Sequence, residues 1–178
     1  MNALVLSMGG TIDAAPYPEG GQPPVNITPS DAHLSMSELK DIASTSDDKI
    51  QLDWIEICNK DSKEIGPSDM SLLEHSVITN ASNYDRVLVT IGTDRMAEIA
   101  RDLKERLGES TDCPVVFTGA IWPLANPSKS EGRENLELAL LGNPEIPSGV
   151  YIAMHGLFAP CERLRKDQEL RRFVYVAS

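Results

Sequence analysis

Apolar positions along the chain recur with two spacings. Consecutive apolar runs, Ala3 to Met8, "DRVLVTI" (residues 85–91), "PVVFTGA" (114–120) and "GVYIAMHG" (149–156), read as strands buried on both faces. "KIQLDWIEI" (49–57) alternates apolar and polar and reads as a half-buried strand. Elsewhere the spacing lengthens to three and four. "DRMAEIARDLKERLG" keeps Met96, Ile99, Ala100, Leu103 and Leu107 on one face and stops at Gly108, which makes it the clearest helix. Gly66-Pro67-Ser68 opens another helix, with Met70, Leu73 and Val77 in its stripe. "SEGRENLELALLG" gives a third, closed by Gly142. Ser35 and Glu38 form a capping box for a fourth, and Leu34 with Leu39 fits a hydrophobic staple. "CERLRKDQELRRF" (161–173) reads as a charged tail of helical character. Met36, Met70 and Met96 fall on core stripes, and Trp54 and Trp122 read as packing or rim aromatics.

Strands that alternate with helices make βαβ units. The expected fold is α/β: a three-layer, Rossmann-like or flavodoxin-like domain with a mostly parallel sheet. The 178 residues suit one domain over 1–178. The stretch "AAPYPEGGQPPVNITP" (14–29) is long for a connection in such a domain and reads as a lid or binding loop.

Composition narrows the functional classes. A net charge of −11 argues against nucleic acid or an anionic membrane as partner. Cys58, Cys113 and Cys161 are few, odd in number and widely spaced, as are His33, His75 and His155. Neither set has metal-ligand or disulfide spacing, so no metal and no cofactor is expected. The chain enters its first strand without a charged leader or a long apolar segment, and a cytoplasmic location is the expectation.

In a parallel sheet the ligand gathers beyond the carboxyl ends of the strands. The segments there are "GGTID", "KDSKEIG", "GTDRM", "TGAIWP" and "HGLFAPCERLRK". They bring Thr11, Ser62, Thr93, Asp94, Thr118 and Lys166 to one rim. A threonine hydroxyl needs a base to become a nucleophile. With no histidine placed for that, a lysine working through a Thr/Asp pair is the candidate. Gly9-Gly10 and Gly92 would let backbone N–H groups reach a reacting carbonyl. This is acyl-transfer chemistry on an amide or ester. The plain alternatives are a tight strand-to-helix turn at Gly9-Gly10, a helix cap at Thr93-Asp94, a turn residue at Ser62 and a solvated Lys166. A phosphate-binding reading is weak, because neither GxGxxG nor GxxxxGK[ST] is present.

Five ordered stretches resemble the bacterial-type L-asparaginase/glutaminase family. "MGGTID" and "VTIGTDRMAEIA" resemble its two signatures, TGGTI and HGTDTMEETA. "KDSKEIGPSDM" resembles its substrate-binding segment, "VVFTGAIWPLANPSKSEGRENLELAL" its TGAMRP stretch, and "GVYIAMHGLFAPCERLRK" the segment that ends in its catalytic lysine. The resemblance implies Thr11 as nucleophile on a side-chain amide carbon. It implies Thr93, Asp94 and Lys166 as the proton-handling group, with Asp94 also holding the substrate ammonium. Ser62 matches the serine that binds the α-carboxylate, Lys63 a polar substrate-side position, and Gly10, Gly92 and Ala120 backbone positions of the pocket. Tyr17 is the candidate lid tyrosine, although the register of "EGGQPPV" brings Gln22 nearer that place. The implied substrate is a small amino-acid amide, with asparagine going to aspartate and ammonia, and the implied assembly is a homodimer.

The sequence also departs from that family. The family's smaller carboxy-terminal domain is not expected in this chain, which removes an acidic contribution to a neighbour's pocket. Ile91 replaces a histidine, Arg95 a threonine and Glu131 an aspartate. Arg95 could depress a lysine pKa or point to solvent. Two readings therefore stand: an asparaginase-type amidohydrolase, or a weak or inactive amino-acid-binding module of the same fold.

Overall fold

Six strands form the main sheet of the computed structural model, which describes residues 1–18, 20–22, 27–47, 49–108 and 111–177. In chain order β1 (Asn2–Gly9), β2 (Gln51–Lys60), β3 (Arg86–Thr90), β4 (Pro114–Thr118) and β5 (Gly149–Met154) lie parallel, arranged β2-β1-β3-β4-β5. β6 (Leu157–Pro160) then returns antiparallel to β5 at the edge. His155 and Gly156 make that reversal, both at positive φ, as a two-residue turn matched to strand twist demands. The expected α/β, mostly parallel architecture is observed.

Alternation along each strand builds two cores. Leu4, Leu6 and Met8 of β1 and Val87 and Val89 of β3 face one side. There they meet α2 (Pro67–Asn80) through Met70, Leu73 and Val77, and α3 (Met96–Leu107) through Met96, Ile99 and Leu103. Ala3, Val5 and Leu88 face the other side, against α1 (Leu34–Thr45) through Leu39 and Ile42 and α4 (Gly132–Leu141) through Leu136 and Ala139. β2 is the sheet edge, and its alternating exposure matches its alternating sequence.

Two local expectations are corrected. Ser35 does not cap α1: the helix begins at Leu34 with His33 before it. The Ser35 N–H and hydroxyl donate to the Asp13 carboxylate at 2.7 and 2.6 Å. A charged acceptor brought from the turn after β1 outcompetes a local hydroxyl at the positive end of the helix. The charged tail is not a helix either. It forms a separate antiparallel hairpin of β7 (Leu164–Asp167) and β8 (Arg172–Tyr175), with Lys166 opposite Phe173. Asp167 caps its turn by accepting from Glu169 and Leu170 N–H, and Leu164 and Phe173 seat the hairpin on the core beside α3.

Arg86, at the start of β3, is 2% exposed. Its guanidinium donates to four carbonyls at the end of α4, those of Ala139, Leu140, Gly142 and Asn143, at 2.8–3.0 Å. Arg86→Leu leaves these carbonyls without that donor. It is expected to lower the unfolding free energy by about 3 kcal/mol or more. A urea midpoint equal to that of the wild type would contradict this assignment.

Candidate active site

Two glycines bring three loops into contact at the carboxyl end of the sheet. Gly10, at φ 88°, follows β1, and a Cβ on it would lie 2.2 Å from the Gly92 nitrogen. A Cβ on Gly92 would meet the Ser62 side chain at 3.0 Å. Only bare backbone lets the turns after β1, β2 and β3 close in this way. Gly10 therefore does not line the pocket as expected; it packs chain against chain, and this contact sets Thr11 beside the Gly92-Thr93 turn.

A small polar cleft lies over this junction. Its walls include the predicted Thr11, Ser62, Gly92, Thr93, Asp94 and Lys166. Asp61, Ile27, Ile121 and Arg171 line it as well, and sequence reasoning did not single these out. Ala120 is one position off: it is fully buried in the core, and Ile121 reaches the cleft instead. Thr118 is structural, its hydroxyl donating to the Ala153 carbonyl at 3.0 Å. Tyr17 is not among the lining residues. Its backbone is clasped by the Asn126 side chain, at 2.8 Å to its N–H and 2.7 Å from its carbonyl. Gln22 is not a lining residue either, and residues 19 and 23–26 of the stretch expected as a lid lie outside the described residues.

Lys166 is the centre of the site. Its side chain is only 8% exposed. Its ammonium donates to Thr93 Oγ1 at 2.8 Å and forms a short ion pair with Asp94 Oδ1. Thr93 and Asp94 thus face the lysine rather than cap α3, whose preceding residue Arg95 makes no side-chain cap. The strand conformation of β7 matters here, since Leu164 and Lys166 fall on the same face, one entering the core and the other the cleft.

The second oxygen of Asp94 is 3.1 Å from the Lys63 ammonium. Burial pushes the Asp94 carboxyl up, but its bonds to Lys166 and Lys63 outweigh that and hold it below the ordinary aspartate value. Lys63 is not itself a lining residue; it stands behind Asp94, and its backbone N–H donates to Asp61 at 3.0 Å. Arg95 does not approach Lys166. It pairs with Glu98 and donates to the Ile65 carbonyl at 3.0 Å, while its backbone N–H reaches Ser62 Oγ at 3.3 Å. Arg95 therefore holds the Ser62 loop to α3. The Thr11 hydroxyl makes no hydrogen bond among the described residues and stands at the cleft with 8% of the residue exposed.

The model of the family described as asparaginase, N-terminal, matches residues 2–172. The chain belongs to the asparaginase family. An L-asparaginase of Thermococcus kodakarensis is 30% identical over 154 residues, 86% of this chain and 44% of that protein. The solved structure of the thermostable L-asparaginase from that organism superposes with a TM-score of 0.77 at 28% identity, over 99% of this chain and 51% of the other. A probable cytoplasmic L-asparaginase from Campylobacter jejuni (TM-score 0.77) and L-asparaginase I from Vibrio cholerae (0.75), each 24% identical, share the fold; the chain covers 98% of itself in both and 52% and 51% of theirs. The chain thus spans about half the length of the asparaginases it matches. Among the described residues no helix is long and apolar enough to cross a membrane.

Proposed function

We propose that this chain carries the catalytic half of an asparaginase-type amidohydrolase. The observation that carries the reading is the Lys166 ammonium bonded to both Thr93 and Asp94 in a cleft that Thr11 also lines. Thr11 Oγ attacks the side-chain amide carbon of asparagine or a related small amide. The amide nitrogen takes a proton as the C–N bond breaks, ammonia leaves, and an ester remains on Thr11. Water then attacks the ester, releases the carboxylate and returns the proton to Thr11. Lys166, Thr93 and Asp94 move the protons, with Asp94 keeping Lys166 in place. Ser62 and the Arg171 side of the cleft receive the substrate carboxylate.

Cysteine chemistry is a poor competitor. Burial pushes the Cys58 and Cys113 thiols up to about 11 and that of Cys161 up to about 12, so none is a ready thiolate. Ammonia release from a panel of asparagine, glutamine, D-asparagine and small peptide amides tests the proposal. Release from at least one amide is expected. No release, with aspartate still raising the melting temperature, would favour the binding-module reading instead. A homodimer and a cytoplasmic location belong to the same proposal; light scattering of the purified chain tests the first.

Lys63 gives a pH prediction. Asp94 has a lowered pKa in the folded chain, so its ion pairs are fully formed above the unfolded value and are lost as pH falls through the folded one. Lys63→Met removes one of its two cationic partners and raises that pKa. The acid limb of kcat/KM is expected to move to higher pH. An unmoved limb would show that Lys63 does not act on Asp94.

A further inference from the structure

We propose that His155 is a positioning residue for Lys166: a neutral ring, protonated on Nε2, that ties the lysine-bearing hairpin to the Ile121 loop of the cleft. The inference rests on the amidohydrolase reading above. Phe173, directly across the hairpin from Lys166, donates its backbone N–H to His155 Nδ1 at 3.0 Å. A backbone N–H can only donate, so Nδ1 holds a lone pair and the ring proton of the neutral form sits on Nε2. Nε2 lies 3.4 Å from Glu131 Oε1. The same Glu131 oxygen accepts from the Ile121 N–H at 2.6 Å. Three residues on, Leu124 N–H reaches the Ile12 carbonyl at 3.1 Å, next to Thr11. Polar contacts therefore join the strand opposite Lys166 to Ile121, and the loop that Ile121 opens bonds in turn to the Thr11 turn through Leu124.

The hairpin needs such a tie. β7 and β8 form their own two-stranded sheet, which is marginal without docking. Leu164 and Phe173 supply apolar docking, and Arg101 of α3 donates to the Leu164 carbonyl at 3.0 Å; the His155 bond holds the other strand, across from Lys166. A displacement of about 1 Å at a reacting group costs up to about a hundredfold in rate. His155 is itself over-determined. It holds a left-handed backbone at φ 53°, its N–H is bonded to Asn135 Oδ1 at 2.8 Å, and its side chain is 15% exposed. The two-residue turn demands that backbone, and the bonds around it fix the direction in which the ring points.

Three measurements test the proposal. Long-range ¹H–¹⁵N spectra of the wild-type chain should place the ring proton on Nε2; a neutral ring protonated on Nδ1 would overturn it. His155→Ala should lower kcat about tenfold with KM nearly unchanged. His155→Asn, whose carbonyl oxygen replaces the Nδ1 acceptor and whose backbone tolerates the positive φ, keeps the Phe173 bond without the Glu131 contact and should restore only part of the loss. Wild-type kcat in His155→Ala, or wild-type kcat in His155→Asn, would overturn the proposal even if either variant melts at a lower temperature. If the wild type hydrolyses no amide, the parent reading fails, and the spectra alone still decide the tie.

Discussion

Lys166→Met is expected to reduce turnover about a thousandfold while leaving a folded chain. Methionine keeps the length and apolar stem of lysine, and the side chain stands almost fully buried between the hairpin and the Thr93 turn. What is lost is the ammonium that donates to Thr93 and pairs with Asp94. The Leu164 and Phe173 packing that seats β7 and β8 is untouched, so the thermal midpoint should stay within a few degrees. Steady-state ammonia release beside a melting curve checks both halves. Activity above a tenth of the wild type would show that the lysine is a structural cation.

Thr11→Ala is expected to abolish turnover and, with it, acyl transfer to an added nucleophile. With hydroxylamine present, the wild type should yield hydroxamate as well as carboxylate, because the ester on Thr11 partitions between the two acceptors. The alanine variant should yield neither. Its fold should survive, because the Thr11 hydroxyl has no hydrogen bond among the described residues to lose. The close contact that shapes the turn belongs to Gly10 and Gly92. Thr11→Ser keeps a hydroxyl at the same place and should retain part of the activity. Hydroxamate formed at the wild-type rate by Thr11→Ala would assign the attack to another group.

The sheet and helices were legible because their signals are long and periodic. The stripe of α3 and the uninterrupted apolar strands leave little choice of period or face. The hairpin was not legible. Its sequence is dense in charge, and only the docking of Leu164 and Phe173 on the core decides that Lys166 points inward. Thr11, Thr93 and Ser62 could be placed from their position after strands, since topology fixes which rim those ends share. Ile27, Ile121 and Arg171 enter the cleft from irregular segments, where no periodicity orients a side chain. Asp61 has a local signature: an aspartate three residues before Glu64 is a capping box for the turn that presents Ser62. The two glycines were read as room for a ligand, and in the fold they are room for each other's backbone.

The most direct test of the shared site is a double-mutant cycle on the Thr93–Lys166 hydrogen bond, read as kcat for ammonia release. Thr93→Val and Lys166→Met should each be severe, and the combined variant should be no slower than Lys166→Met alone, as expected when two groups act as one unit. Losses that multiply in the combined variant would mean that the two side chains work independently.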